Sequence, residues 1–300
     1  DRVSLVGDVM EGLNLTLRHL APPGPIIIPT PVYPPFLIVA RDLGREIRTV
    51  PLRRADGGRL TLDLEGIADQ AHAGARTLLL SQPHNPVGRC YSASELQALS
   101  HVADDCSLHI ISDEIHAPLT LPGVAFTPYA AMASAEAPVT TLISATKPFN
   151  MPGLRCAQLL SHRAADQATI TSLPPALNHA MTTLGQQASV AAYTEGDAWL
   201  QALRERMADN HEALRTRLAH SLPQISIEVA EATYLAWLDV RALDLADPAA
   251  TALEHGVRVD GQQTASGPGG LGHIRVNLAT SRERVQLIAD RLIAAWQPQT

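Results

Sequence analysis

Four short runs of the 300-residue chain are apolar across nearly their whole length: residues 26–28 (III), 77–80 (TLLL), 108–112 (LHIIS) and 139–143 (VTTLI). A strand with one face in water alternates apolar and polar residues. A continuous apolar run instead marks a strand covered on both faces, as in sheets of parallel strands joined by crossover helices. Helical patterns lie between these runs. The clearest comes after Ser92, which with Glu95 three residues later forms a capping box ahead of LQALSHVA and predicts a helix start near Ala93. The first half therefore reads as an α/β unit, a three-layer α/β/α domain with a mostly parallel sheet.

The pattern changes from about residue 183. A long helical stretch, including QALRERMADNHEALRTRLAHSL, leads into expected strands at 225–229, 233–239 and 273–278, then a last helix behind the TSRE box that starts at Thr280. This predicts a smaller C-terminal α+β domain, with the division at 1–190 and 191–300. The glycine-rich SGPGGLG at 266–272 precedes a strand rather than joining a strand to a helix, so it is not a dinucleotide fingerprint.

Composition mainly excludes. Charged residues are 18% and hydrophobic ones 46%, which rules out a disordered chain. The net charge is −7 with no basic run, so no nucleic-acid footprint is expected. No run of about 18 apolar residues marks a membrane span, and the opening DRVSLVGDVMEG is too acidic for a signal peptide. Cys90, Cys106 and Cys156 form no CxxC pair and leave an odd thiol, which reads as a reducing, cytoplasmic setting. The histidines show no metal-ligand spacing, and no GxSxG serine-hydrolase motif is present.

The segments at the ends of the apolar runs are more specific. TPVYPPF comes after the first, SQPHNPVG after the second, DEIH after the third and SATKPFNMPGL after the fourth, so Tyr33, Asn85, Asp113 and Lys147 all stand where strands end. Ligands of open α/β sheets bind outside the carboxyl ends of the strands, which predicts one shared site. Lys147 is the only lysine beside 22 arginines. A surface cation needs only charge, whereas attack on a carbonyl needs an amine that a guanidinium cannot replace.

Taken together, HNPVG, SDEIH and SATKPFNMPGLR resemble the signature set of fold-type I enzymes dependent on pyridoxal 5′-phosphate (PLP), which include class I and II aminotransferases. TPVYPPF, DEIH, TYLAWLD and IRVNLATS are most similar to the MalY/PatB branch of cystathionine β-lyases, the C–S lyases. Spacings of 28 residues from Asn85 to Asp113 and 34 from Asp113 to Lys147 match that branch.

The resemblance implies a role for each position. Lys147 would bind PLP covalently and then serve as the base at Cα. Asp113 would pair with the pyridine nitrogen, Asn85 with the ring's 3-oxygen, and Tyr33 would stack on the ring. Ser144, Arg155 and the backbone N–H groups at Val9 and Met10 would hold the phosphate. Arg275 would clamp the substrate's α-carboxylate. His116 stands where many aminotransferases carry Tyr, which favours the lyase branch. The implied reaction is β-cleavage of L-cystathionine or a similar S-substituted cysteine in a homodimer with shared active sites. An aminotransferase is the near alternative, and a regulatory or binding protein that keeps the fold is the alternative of another class. The chain begins about where the family's first large-domain helix begins, so the preceding arm, which often lends the partner a Tyr, is expected to be missing.

Overall fold

Seven strands form one sheet in the order β1-β9-β8-β7-β6-β2-β3: β1 (Val3–Val6), β2 (Ile26–Thr30), β3 (Ile47–Pro51), β6 (Thr77–Ser81), β7 (His109–Asp113), β8 (Val139–Ile143) and β9 (Ala157–Ser161). The pairs β3–β2, β2–β6, β6–β7 and β7–β8 are parallel, while β9 runs antiparallel to both β8 and β1. This computed structural model describes residues 2–297 apart from 56–57, 175–176, 178–180 and 262–265.

Alternate residues of each apolar run enter two different cores. Ile26, Ile28, Leu79, Ile111 and Leu142 pack with α1 (Val9–His19), α2 (Pro34–Asp42) and α5 (Ala164–Ser172). Ile27, Leu78, Leu80, Ile110 and Val139 pack with α3 (Leu64–His72) and α4 (Ala93–Asp105) on the other face. Both faces are dry, which is why the runs do not alternate. The Ser92 box forms as expected, with Glu95 N–H donating to the Ser92 hydroxyl and Ser92 N–H to the Glu95 carboxylate.

Strands β1, β3 and β9 were not legible in the sequence. β1 and β3 lie at the sheet edges and β9 is antiparallel, so none carries the buried parallel signature. The stretch from 183 is two helices, α6 (Thr183–Glu195) and α7 (Asp197–Ser221). The break falls at Gly196, where a Cβ would come 2.3 Å from the Phe149 ring.

A three-stranded antiparallel sheet of β10 (Ser226–Ile227), β11 (Leu235–Asp239) and β12 (His273–Asn277) packs with α7, α8 (Pro248–Glu254) and α9 (Arg282–Trp296). The cap of α9 is Ser281, one residue later than the TSRE pattern suggested, because its hydroxyl reaches the Arg284 N–H. A two-stranded ribbon, β4 (Arg53–Arg54) with β5 (Leu60–Thr61), leans towards this smaller unit through the ion pairs Arg54–Glu228 and Arg59–Glu231. Among the described residues, no helix is long and apolar enough to cross a membrane.

Asn210, fully buried on α7, donates from Nδ2 to the carbonyls of Leu278 and Thr280, each at 2.9 Å. Asn210→Ala takes its donor from the Thr280 carbonyl and leaves the Leu278 carbonyl with the Thr280 N–H alone, and destabilisation of about 1–3 kcal/mol is expected. Thermal unfolding should show a fall of roughly 2–4 °C per kcal/mol for a chain of this size. An unchanged melting temperature would contradict this account.

Candidate active site

The carboxyl ends of β2, β6, β7 and β8 converge on a cavity of about 180 Å³. Tyr33, Asn85, Asp113, His116, Lys147, Arg155, Val9 and Met10 all line it. Ser144 and Arg275 do not. Ser144 lies behind the wall, donating to the Cys156 carbonyl at 2.7 Å and accepting from the Thr146 N–H at 3.2 Å, so Thr146 meets the cavity instead. Sequence reasoning did not single out Thr146, Ser81, Ile115 or Asp8. Asp8 had one available signal, an Asp just ahead of an expected helix start.

Each side chain is held by its local structure. Tyr33 caps α2, with Pro34 at the first helical position and its ring edge-on to Phe36 at 5.8 Å. His84, fully buried, ties the Tyr33 loop to the Asn85 loop: its Nε2 donates to the Pro31 carbonyl at 2.7 Å, and its Nδ1 accepts from the Tyr91 hydroxyl at 3.0 Å. Burial pushes the His84 pKa down to about 4, so this neutral tautomer persists at physiological pH. Asn85 Oδ1 accepts from Arg275 Nη1 at 3.1 Å, which leaves the Asn85 amide N–H groups for another acceptor. Past the Asn-Pro turn, Gly88 adopts φ +73°, and a Cβ there would come 3.0 Å from the Ala232 carbonyl.

The electrostatics are unusual. Asp113 is buried at the end of β7, with Oδ1 accepting from the Ile115 N–H at 3.0 Å. Burial lifts its pKa to about 7, against the lowering effects of that N–H and the Lys147 charge. His116 is driven down to about 3 by burial, then by the charges of Lys147 and Arg275, and its buried Nδ1 has no hydrogen-bond partner. The Tyr33 pKa is raised, by burial first and then by the Asp113 charge. At the cavity mouth Arg155 pairs with Asp8 at 2.8 Å. The N–H groups of Val9 and Met10 open α1 and have no acceptor within the helix. Arg275 is also paired with Asp260.

A second cavity, of about 400 Å³, shares Thr146, Lys147 and Pro152 with the first. Its remaining wall comes from Asn150, from α7 and from the smaller unit, including Tyr234 and Asn277. Tyr234 follows Thr233, a fully buried residue at φ +73° that is unfavourable for a β-branched side chain. Thr233 is over-determined: its N–H donates to the Leu119 carbonyl, its own carbonyl accepts from His211, and its hydroxyl accepts from the Leu235 N–H. The Tyr234 ring then stands edge-on to His116 at 5.9 Å.

Residues 1–292 match the family described as aminotransferase class I and II. The chain belongs to that family. A Mycobacterium leprae protein named "Putative cystathionine beta-lyase" is 36% identical over 94% of this chain and 74% of its own length. Cystathionine beta-lyase PatB of Bacillus subtilis is 30% identical, over 96% of this chain and 76% of PatB. The crystal structure of cystalysin from Treponema denticola, which contains PLP, superposes with a TM-score of 0.91 at 28% identity, covering 98% of this chain and 76% of cystalysin. The fold is that of fold-type I PLP-dependent enzymes.

The residues present fit that cofactor. The buried carboxylate of Asp113 suits a protonated ring nitrogen, and the Asn85 amide N–H groups suit an anionic ring oxygen. His116 lines the cavity, and its buried Nδ1 has no hydrogen-bond partner within the chain. The free N–H groups that open α1, beside Arg155, suit a phosphate. Among the described residues, no group of three or more His, Cys, Asp or Glu side chains is placed to hold a metal ion.

The Asp113 shift makes a stability prediction. Because its folded-state pKa is raised to about 7, its contribution is intact below the ordinary carboxylate range and is lost as pH rises towards 7. In cofactor-free protein, Asp113→Asn should therefore gain stability relative to wild type as pH goes from 4 to 8, with a ceiling of about 4 kcal/mol. The same variant should bind PLP at least about tenfold more weakly. Urea unfolding across pH checks the first outcome, and a pH-independent offset would contradict it.

Proposed function

We propose that this protein is a PLP-dependent carbon–sulfur β-lyase that cleaves L-cystathionine or a related S-substituted cysteine to a thiol, pyruvate and ammonia. The observation that carries the reading is the position of Lys147, the only lysine, in the wall common to the two cavities. One cavity has donors and acceptors matched to PLP; the other is open to an amino-acid side chain. The names of the relatives support the lyase activity over transamination.

When bound, PLP supplies a conjugated ring that takes up the electron pair left at Cα. The Lys147 amine removes and holds the Cα proton. Asp113, whose charge burial disfavours when it stands alone, would be held ionised by pairing with the ring nitrogen. Asn85 would donate to the 3-oxygen from Nδ2, and Tyr33, a neutral phenol, would offer its ring to the cofactor's. Val9, Met10 and Arg155 would hold the phosphate, with Ser144 bracing Thr146 from behind. Arg275, steered by Asn85, binds the α-carboxylate. The β-carbon–sulfur bond then breaks with its electron pair on sulfur, and the released enamine hydrolyses to pyruvate and ammonia.

The reading extends to the assembly. The division at 1–190 and 191–300 is supported by the three larger cores, since two draw on residues 6–173 and a third on residues 213–296, while a small fourth cluster joins Leu119 and Leu121 to Met207 across it. A homodimer is supported by exposed Leu184, Val190 and Tyr193 along α6, and a cytoplasmic setting by three free thiols.

Purified holoenzyme should release thiol and pyruvate from cystathionine with no keto acid added, and Lys147→Ala should lower kcat by about 10²–10⁴-fold. Turnover that requires a keto-acid acceptor would make the protein an aminotransferase instead.

A further inference from the structure

We propose that the second cavity selects S-substituted cysteines whose leaving group ends in a carboxylate, and that Arg206 is the residue that binds this terminus. The inference rests on the lyase reading and names the substrate class of that site.

Helix α7 presents Trp199, Leu203, Arg206 and Met207 to the cavity. Their spacing of four, seven and eight residues puts them on one helical face. Trp199 is 55% exposed, with its ring nitrogen donating to the Pro148 carbonyl at 3.2 Å, so an apolar ring surface is fixed at the cavity edge. Leu203, Met207 and Leu278 continue this apolar wall. It suits the short alkyl chain attached to sulfur.

The charges in the lining are one-sided. The only ionised groups there are Lys147 and Arg206, both cations, and no Asp or Glu lines the cavity among the described residues. Lys147 belongs to the reacting end, shared with the cofactor cavity. Arg206 is exposed and makes no ion pair among the described residues, although its charge helps to lower the Glu283 pKa. Asn277 adds a donor. Its Oδ1 is taken by the Ala279 N–H at 2.8 Å, which leaves the amide N–H groups for a ligand oxygen. The phenol of Tyr234 is kept neutral by burial and supplies one more hydroxyl.

An apolar sleeve ending in a guanidinium and an amide donor matches an alkyl carboxylate. It matches a zwitterionic terminus less well, because the lining offers an ammonium group no counter-charge. S-carboxyalkyl-L-cysteines therefore outrank both neutral S-alkyl-cysteines and cystathionine.

The test compares S-(2-carboxyethyl)-L-cysteine with its neutral isostere S-(2-carbamoylethyl)-L-cysteine in pyruvate-release assays on the holoenzyme. Wild type should favour the carboxylate by about tenfold or more in kcat/KM, chiefly through KM, since the contact is equally present in ground and transition states. Arg206→Gln should bring the ratio close to one, and Arg206→Lys should restore part of it. Calorimetric binding of 3-mercaptopropionate against 3-mercaptopropionamide reads the same preference without turnover. No preference in wild type, or an equal loss for both substrates in Arg206→Gln, overturns the inference. Acceptor-dependent turnover alone defeats the lyase reading, while the thiol-binding ratio still decides the role of Arg206.

Discussion

Exclusion of water from both faces of the sheet's central strands, β2, β6, β7 and β8, is the constraint on which the molecule depends. A strand dry on both sides can carry few polar groups along its length, so polar residues collect where the strands end. Asp113, Asn85, Tyr33 and Lys147 stand at or after the ends of four different strands, yet the parallel register of β2, β6, β7 and β8 brings them to one cavity. The same dryness raises the cost of charge there. Glu114, beside Asp113, is also lifted to about 7 by burial, and it is kept in place by the Ser112 hydroxyl and the Tyr129 N–H, each at 2.9 Å.

The sheet alone does not complete the site, because Arg275 and Tyr234 come from the smaller unit. Arg89 makes the connection. It is nearly buried, pairs with Glu95 at the start of α4 and with Glu231 near β11, and its Nε reaches the Leu60 carbonyl at 2.6 Å. The Glu231 and Ala232 N–H groups both donate to the Gly88 carbonyl, at the end of the loop that carries Asn85. Asn85 and Arg275 can then bond across 190 residues of sequence because both ends of that contact are pinned. A pair of this kind, partly shielded from water, specifies one alignment of the two units more than it stabilises either.

Legibility in the sequence tracked the same physics. β8 lies where its apolar run lies, 139–143, and α4 starts at Ala93 behind a capping box that is local chemistry. Most proposed site residues line the cavity because strand-end position is readable from periodicity. Ser144, expected to hold the phosphate, bonds to Cys156 and Thr146 behind the wall, since the chain direction after β8 is set by those contacts rather than by any local pattern. Thr233 could not be read either. Its strained backbone is imposed by Leu119, His211 and Leu235, and a Thr in sequence suggests an ordinary strand residue. Arg206 looked like one charge among many on a solvated helix until its neighbours were in place.

The ion pairs at Arg275 and Arg155 bear on how the site treats anions. These two arginines are each held by a carboxylate of the chain, Asp260 in one case and Asp8 in the other. A guanidinium presents five N–H donors, so a shared arginine can still donate to a ligand oxygen, but its charge is already partly balanced. Asp8 has a second task as the cap of α1, accepting from the Glu11 N–H at 2.8 Å. That cap holds the turn whose free N–H groups face the cavity. The negative charge that weakens Arg155 as an anion site thus also orders the backbone donors beside it, and phosphate affinity depends more on those donors and less on net charge than the motif alone suggests.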